Sequence, residues 1–333
     1  MDKSILQNKE YDFLRTNKHL GENVILLGLG GSYAYGTNIE GSDIDVRGVA
    51  TRTAYEICNG YDFEEIVNNE TDTTIYSFDK MLRLLSECNP NCIEILGLRD
   101  CDYFFKSSVG QHLINNKHLF LSKNCIHTFG GYATQQLYRL RQKTLDALSP
   151  QEYNDHIVKT IEGMKDHLEN SWHIPAEKIS VKSTPEGLKI DITDLLDVSL
   201  EDFYGMSNEI ANVIRTYYKN SKRNQQAMTH AKVHKHAMHL LRLYMMAIDI
   251  LEKHQIITYR EVEHDLLMTI RNGGFTDPRS GMMTKDFWDL LEEYEAKFNK
   301  AKETTTLPDR PDESVIKDLQ YSVNSWIVNH QGG

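Results

Sequence analysis

The stretch Gly28-Leu29-Gly30-Gly31-Ser32-Tyr33-Ala34-Tyr35-Gly36-Thr37, followed by Gly41-Ser42-Asp43-Ile44-Asp45-Val46-Arg47-Gly48-Val49, decides how this chain folds. Just before it, Asn23 to Leu29 is a short apolar run ending in glycines, which suits a buried strand better than a helix. Gly30 and Gly31 end that strand, Ser32 can cap a short helix through Thr37, and Gly41-Ser42 makes a turn. Ile44 to Val49 alternates as a second strand, with Asp43 and Asp45 on one side because strand side chains repeat every two residues. The predicted order is strand, Gly-Ser turn, helix, strand.

This order carries chemistry. A phosphate needs close backbone approach and free N–H donors, and a Gly-Gly-Ser turn leading into a helix supplies both, together with the Ser32 hydroxyl. Asp-x-Asp on a strand puts two carboxylates on one face, about 6–7 Å apart along the backbone, where they can share a hard cation such as Mg²⁺. In-line attack on an α-phosphorus also calls for a third carboxylate to hold a second metal ion and help deprotonate the acceptor hydroxyl. Asp72, at the start of a third predicted strand over Thr73–Phe78, is the candidate, with Glu70 the alternative if the register is displaced by two. Singly, a glycine cluster is ordinarily a tight turn and an Asp-x-Asp a solvated strand face. Their succession at short separation between two strands is far more specific. No Gly-Lys-Ser/Thr follows, so the turn is not a P-loop, and the glycines lack the spacing of a dinucleotide fold.

Beyond this segment the pattern predicts a helix over 79–87, a stop at Asn89-Pro90 and a further helix over 91–98, completing an α/β unit. From 122 the reading is helical, over 122–148, 150–170, 200–221, 229–253, 260–271 and 285–300, with a hairpin at 179–192 turning on Pro185-Glu186-Gly187. A polar stretch over 303–312 precedes a final short helix. The expected class is α+β: a catalytic domain with a small mixed sheet over 1–121, then a mainly helical domain over 122–333.

The 333 residues are 40% hydrophobic, enough for a substantial core, and carry a formal charge of −11, which disfavours a protein that coats nucleic acid through a whole-surface positive field. Charge is nevertheless segregated: no Asp or Glu occurs from Ile210 to Ile248, while Lys232, Lys235, His239 and Arg242 recur there at helical spacing. The alternative for that stripe is a solvated helix face. Five cysteines without a CxxC pair give little support to zinc or disulfides. With no long apolar stretch and no apolar leader at the start, the expectation is a cytoplasmic protein and no membrane partner.

The Gly31-to-Thr37 and Ser42-to-Val49 segments, Asn89-Pro90 followed by Glu94, and Lys235-His236-Ala237-Met238-His239-Leu240-Leu241-Arg242 together resemble the DNA polymerase β-like nucleotidyltransferases. The nearest resemblance is to the RNA-repair-associated type found in bacteria and phages. It implies metal ligation by Asp43 and Asp45, a third acidic role for Asp72, and phosphate binding by Gly31 and Ser32. Relatives often carry a basic residue after the Gly-Ser pair, where this chain has Tyr33, so the charge for a triphosphate is expected from Arg47, Lys235, His239 and Arg242. The reaction so implied is Mg²⁺-dependent transfer of a nucleoside monophosphate from an NTP, with ATP the expected donor, to a hydroxyl such as an RNA 3′ end. A small-molecule or protein acceptor, and a nucleotide-binding regulatory module without catalysis, are the alternatives.

Overall fold

The computed structural model describes residues 3–145, 175–184, 187–192, 199–208, 210–211, 230–277 and 282–331, with single helical positions at 158, 161, 165 and 169. Two compact units divide the chain. One joins Met1–Leu137 to His234–Gly333, and the other is Tyr138–Val233. The chain leaves the first unit, builds the second as an insertion, and returns. The returning segment belongs with the sheet because it fills that unit's interior. Gly97 lies so close to Ile256 that a Cβ on it would fall 2.5 Å from the Ile256 carbonyl oxygen, and the Thr258 N–H donates back to the Gly97 carbonyl.

The first unit holds a mixed five-stranded sheet in the order β3-β4-β2-β1-β5, made of β1 (Val24–Leu29), β2 (Val46–Ala50), β3 (Glu65–Asn68), β4 (Thr73–Ser77) and β5 (Tyr103–Lys106). Only β2 and β4 run parallel, and the other neighbours are antiparallel. All six residues of β1 are buried, which is why it reads as a continuous apolar run rather than an alternating one. The parallel register sets Val46 against Thr73, so the residues just before these two strands, Asp45 and Asp72, emerge at the same end of the sheet. The strand anticipated over 44–49 starts only at Val46, and the Asp-x-Asp lies in the extended segment leading into it.

The described α-helices of this unit are α1 (Phe13–Thr16), α2 (Gly31–Tyr35), α3 (Ala54–Asn59), α4 (Phe78–Ser86), α5 (Pro90–Ile93), α6 (Ser108–Asn115), α7 (Asn124–Leu145, which runs into the second unit), α8 (His230–Ile248, beginning in the second unit), α9 (His264–Arg271), α10 (Lys285–Thr304) and α11 (Glu313–Gln331). Asn89 caps α5 through the Asn91 N–H, and Pro90 sits in its first turn, where its missing donor costs nothing. That helix is shorter than anticipated and passes into a 3₁₀ turn over Glu94–Gly97. The last helix is longer than expected, at 19 residues. Among the described residues no helix is long and apolar enough to cross a membrane.

In the second unit β6 (Ile179–Thr184) and β7 (Gly187–Ile192) pair antiparallel, as the sequence predicts. The helices predicted over 150–170 and 200–221 lie largely outside the described residues, although 201–208 are helical.

Candidate active site

The Gly-Ser turn is built by a close approach that only glycine permits. Gly31 has φ +56, and a Cβ there would lie 1.7 Å from the Asp45 carboxylate oxygen Oδ2. The Gly30 N–H donates to the Asp45 carbonyl at 2.8 Å, so the end of β1 and the Asp-x-Asp segment are tied together by their backbones. Ser32 follows on α2, and its carbonyl accepts the Thr37 N–H at 2.8 Å, closing the helix after Gly36 turns left-handed at φ +75.

Asp45 and Asp72 face each other. The Val46 N–H donates to the Asp72 carbonyl at 3.1 Å, and the two side-chain carboxyls come within hydrogen-bonding reach. Burial, and then the neighbouring Asp72 carboxyl, push Asp45 up to about 7, against the opposing pull of Arg47 and Lys235. Asp72 itself takes φ +44, an uncommon backbone for a residue other than glycine that Asp tolerates better than most. Arg47 braces the pair: its Nη1 donates to the Asp72 carbonyl at 2.8 Å, and its Nη2 lies 3.4 Å from Asp45 Oδ1 and 3.7 Å from Asp72 Oδ1. Arg47 was expected to meet a triphosphate, but its guanidinium is already engaged by these acids.

These groups open onto a small cavity of about 180 Å³. Ser32, Asp43, Asp45 and Asp72 line it together with Lys235 of α8 and Arg271 at the end of α9. Glu70, the alternative third acid, does not line it. Arg271 escaped the sequence reading because a lone arginine at a helix C-terminus is common, and nothing in spacing ties it to an acid far upstream. Its Nε is buried without a hydrogen-bond partner among the described residues, and burial lowers the affinity of its guanidinium for the proton. A partly exposed cation on a cavity wall, with one buried nitrogen unpartnered, is suited to an anionic ligand.

Two residues of the expected basic stripe stand elsewhere. Arg242 is 4% exposed and does not line the cavity: its guanidinium covers the Tyr35 ring at 3.5 Å, and its Nη1 lies 3.5 Å from Glu94 Oε2. The Tyr35 hydroxyl donates to the same Glu94 oxygen. Burial pushes both the Glu94 carboxyl and the Tyr35 phenol up, Arg242 working against it in each case. His239 stands edge-on to Tyr35 with centroids 6.1 Å apart, and burial followed by the charges of Arg242 and Lys235 drives its imidazole well below its ordinary value. Burial thus works against the positive charge that the sequence assigns to it. The Lys232 side chain lies outside the described residues.

Asp45 and Asp72 are hard oxygen donors whose crowding favours a shared proton, or a divalent cation in its place, so the donor set suits Mg²⁺. Asp43 lines the same cavity but is exposed, and among the described residues no three His, Cys, Asp or Glu side chains are grouped tightly enough to ligate one ion. No curated protein and no solved structure matches the chain. Residues 5–154, a little under half of it, match the family described as the RNA repair pathway DNA polymerase beta family. This part of the chain is similar to the polymerase β-like nucleotidyltransferases of the RNA-repair-associated type.

Proposed function

We propose that the chain transfers a nucleoside monophosphate from an NTP, ATP being the expected donor, to a hydroxyl acceptor and releases pyrophosphate. The observation that carries this reading is the division of one small cavity into an acidic wall, Asp43, Asp45 and Asp72 beside Ser32, and a cationic wall, Lys235 and Arg271. Asp45 and Asp72 would hold Mg²⁺, with Asp43 lining the same cavity, and the bound ion would neutralise charge on the phosphates. Ser32 and the Gly31 backbone bind phosphate oxygens. Lys235 and Arg271 offset the charge that develops on the departing pyrophosphate. Asp72, whose side chain is 57% exposed, accepts the proton of the attacking hydroxyl as the new O–P bond forms and the bond to the β-phosphate oxygen breaks.

An RNA 3′ end is the acceptor favoured by the family match. The experiment mixes the protein with Mg²⁺, labelled NTPs and total RNA, and follows label transfer and pyrophosphate. The Asp43→Asn, Asp45→Asn double variant is expected to lose transfer while keeping its fold by circular dichroism, and retained transfer would refute the assignment. If RNA is the acceptor, binding weakens steeply with salt, whereas salt-insensitive turnover points to a small molecule.

A further inference from the structure

Helix α2 carries Ser32, yet it is five residues long and cannot hold its own orientation, since so short a helix is unstable alone. Something outside must fix it, and the structure supplies two grips, both on its C-terminal end. At Tyr35 the ring lies under the Arg242 guanidinium at 3.5 Å, and the hydroxyl is held by Glu94, which Arg242 in turn approaches at 3.5 Å. At Gly36 the carbonyl accepts the Nε2–H of His264 at 2.9 Å, and the Tyr259 ring packs so tightly that a Cβ on Gly36 would fall 2.3 Å from it. Tyr259 is itself covered by Arg99 at 3.4 Å.

Tyr35, Glu94 and Arg242 are each between 3% and 5% exposed, and none of the three lines the cavity. Burying an ion pair costs several kcal/mol per charge before its attraction is counted, and apolar side chains of like volume often fill such a place as well. What the polar trio adds is direction: a planar fork and a hydroxyl fix the ring's rotation, which packing alone leaves loose.

We propose that Arg242 is a positioning residue which, with Glu94 as its buried counter-charge, sets the Gly31-Ser32 turn through Tyr35. The functional half of this rests on Ser32 being a phosphate ligand. The positional half stands without it, and the two are tested separately.

Hydrogen exchange over residues 30–36 reads position without any need for turnover. Arg242→Lys keeps the charge but loses the flat stack and fork, and Tyr35→Phe keeps the ring but loses the bond to Glu94. Each is expected to speed exchange in that segment about tenfold or more while leaving α10 unchanged. Unaltered exchange in both variants overturns the proposal, and Tyr35→Phe carries the test if Arg242→Lys does not fold. In turnover, Arg242→Lys is expected to lower kcat/KM about tenfold, chiefly through nucleotide KM, because small misplacements of a binding group are costly. In a Ser32→Ala background the same change should cost less than about twofold, the non-additivity expected of residues acting through one another. A loss undiminished in that background overturns the route through Ser32. Faster exchange in a wild-type-like fold that transfers no label leaves the positioning intact and removes the transferase reading instead.

Discussion

Two carboxylate clusters lie close to Ser32, and the chain treats them in opposite ways. Glu94 is buried and answered, with the Tyr35 hydroxyl and the Arg242 guanidinium both turned to it. Asp45 and Asp72 are set against each other with Arg47 as a side brace, and Asp72 is left largely open. A structural acid is partnered until its charge is spent, while an acid kept for a ligand is left in debt to it. The contrast also separates two arginines that sequence treats alike: Arg242 belongs to the answered cluster and Arg271 faces the unanswered one.

The largest effect should come from breaking the answered cluster. Glu94→Ala leaves Arg242 buried without its counter-charge and is expected to cost about 3–5 kcal/mol in urea unfolding. The unanswered pair should respond to a cation. Saturating Mg²⁺ at about a hundred times its Kd is expected to stabilise the wild type by about 2.7 kcal/mol, read as a rise in Tm, and to do much less for Asp45→Asn. Arg271→Ala, which removes a cation from the cavity wall and leaves both clusters whole, is expected to raise nucleotide KM about tenfold or more with little change in Tm.

The subtlest outcome concerns pH. Because Asp45 is raised from 3.8 to about 7, its contribution to the stability of the metal-free protein is fully present below 3.8 and is lost as pH rises through 7. Asp45→Asn should flatten that part of the profile, so the variant melts higher than the metal-free wild type at pH 8 while transferring nothing. A lower melting temperature there would mean that Asp45 is held for the fold.

Most of the acidic wall was legible because it is local. The apolar run of β1, the Gly-Ser turn and the Asp-x-Asp lie within a few residues of each other, and Asp72 announces itself at the head of a β-branched run. Strands β3 and β5 escaped notice because each has four residues and sits at a sheet edge, where exposed positions such as Val67 and Phe105 blur the alternation. Helix α3 had its Thr53-x-x-Glu56 capping box in plain view, but no apolar run follows to give the box meaning. The cationic wall was half legible. Lys235 and Arg242 share a helix and a spacing, yet one reaches the cavity and the other turns to Glu94. Which does which depends on a buried acid that no periodicity connects to them.

The insertion has a consequence in the order of synthesis. Every strand of the five-stranded sheet and every acid of the site is made before Tyr138, whereas Lys235, Arg242, His264 and Arg271 follow Val233. A nascent chain emerging from the ribosome therefore carries its carboxylates for the whole time the inserted unit takes to be translated, with the clamp on α2 incomplete and no cationic wall facing them. Maturation of the site is timed by the last of these residues to emerge.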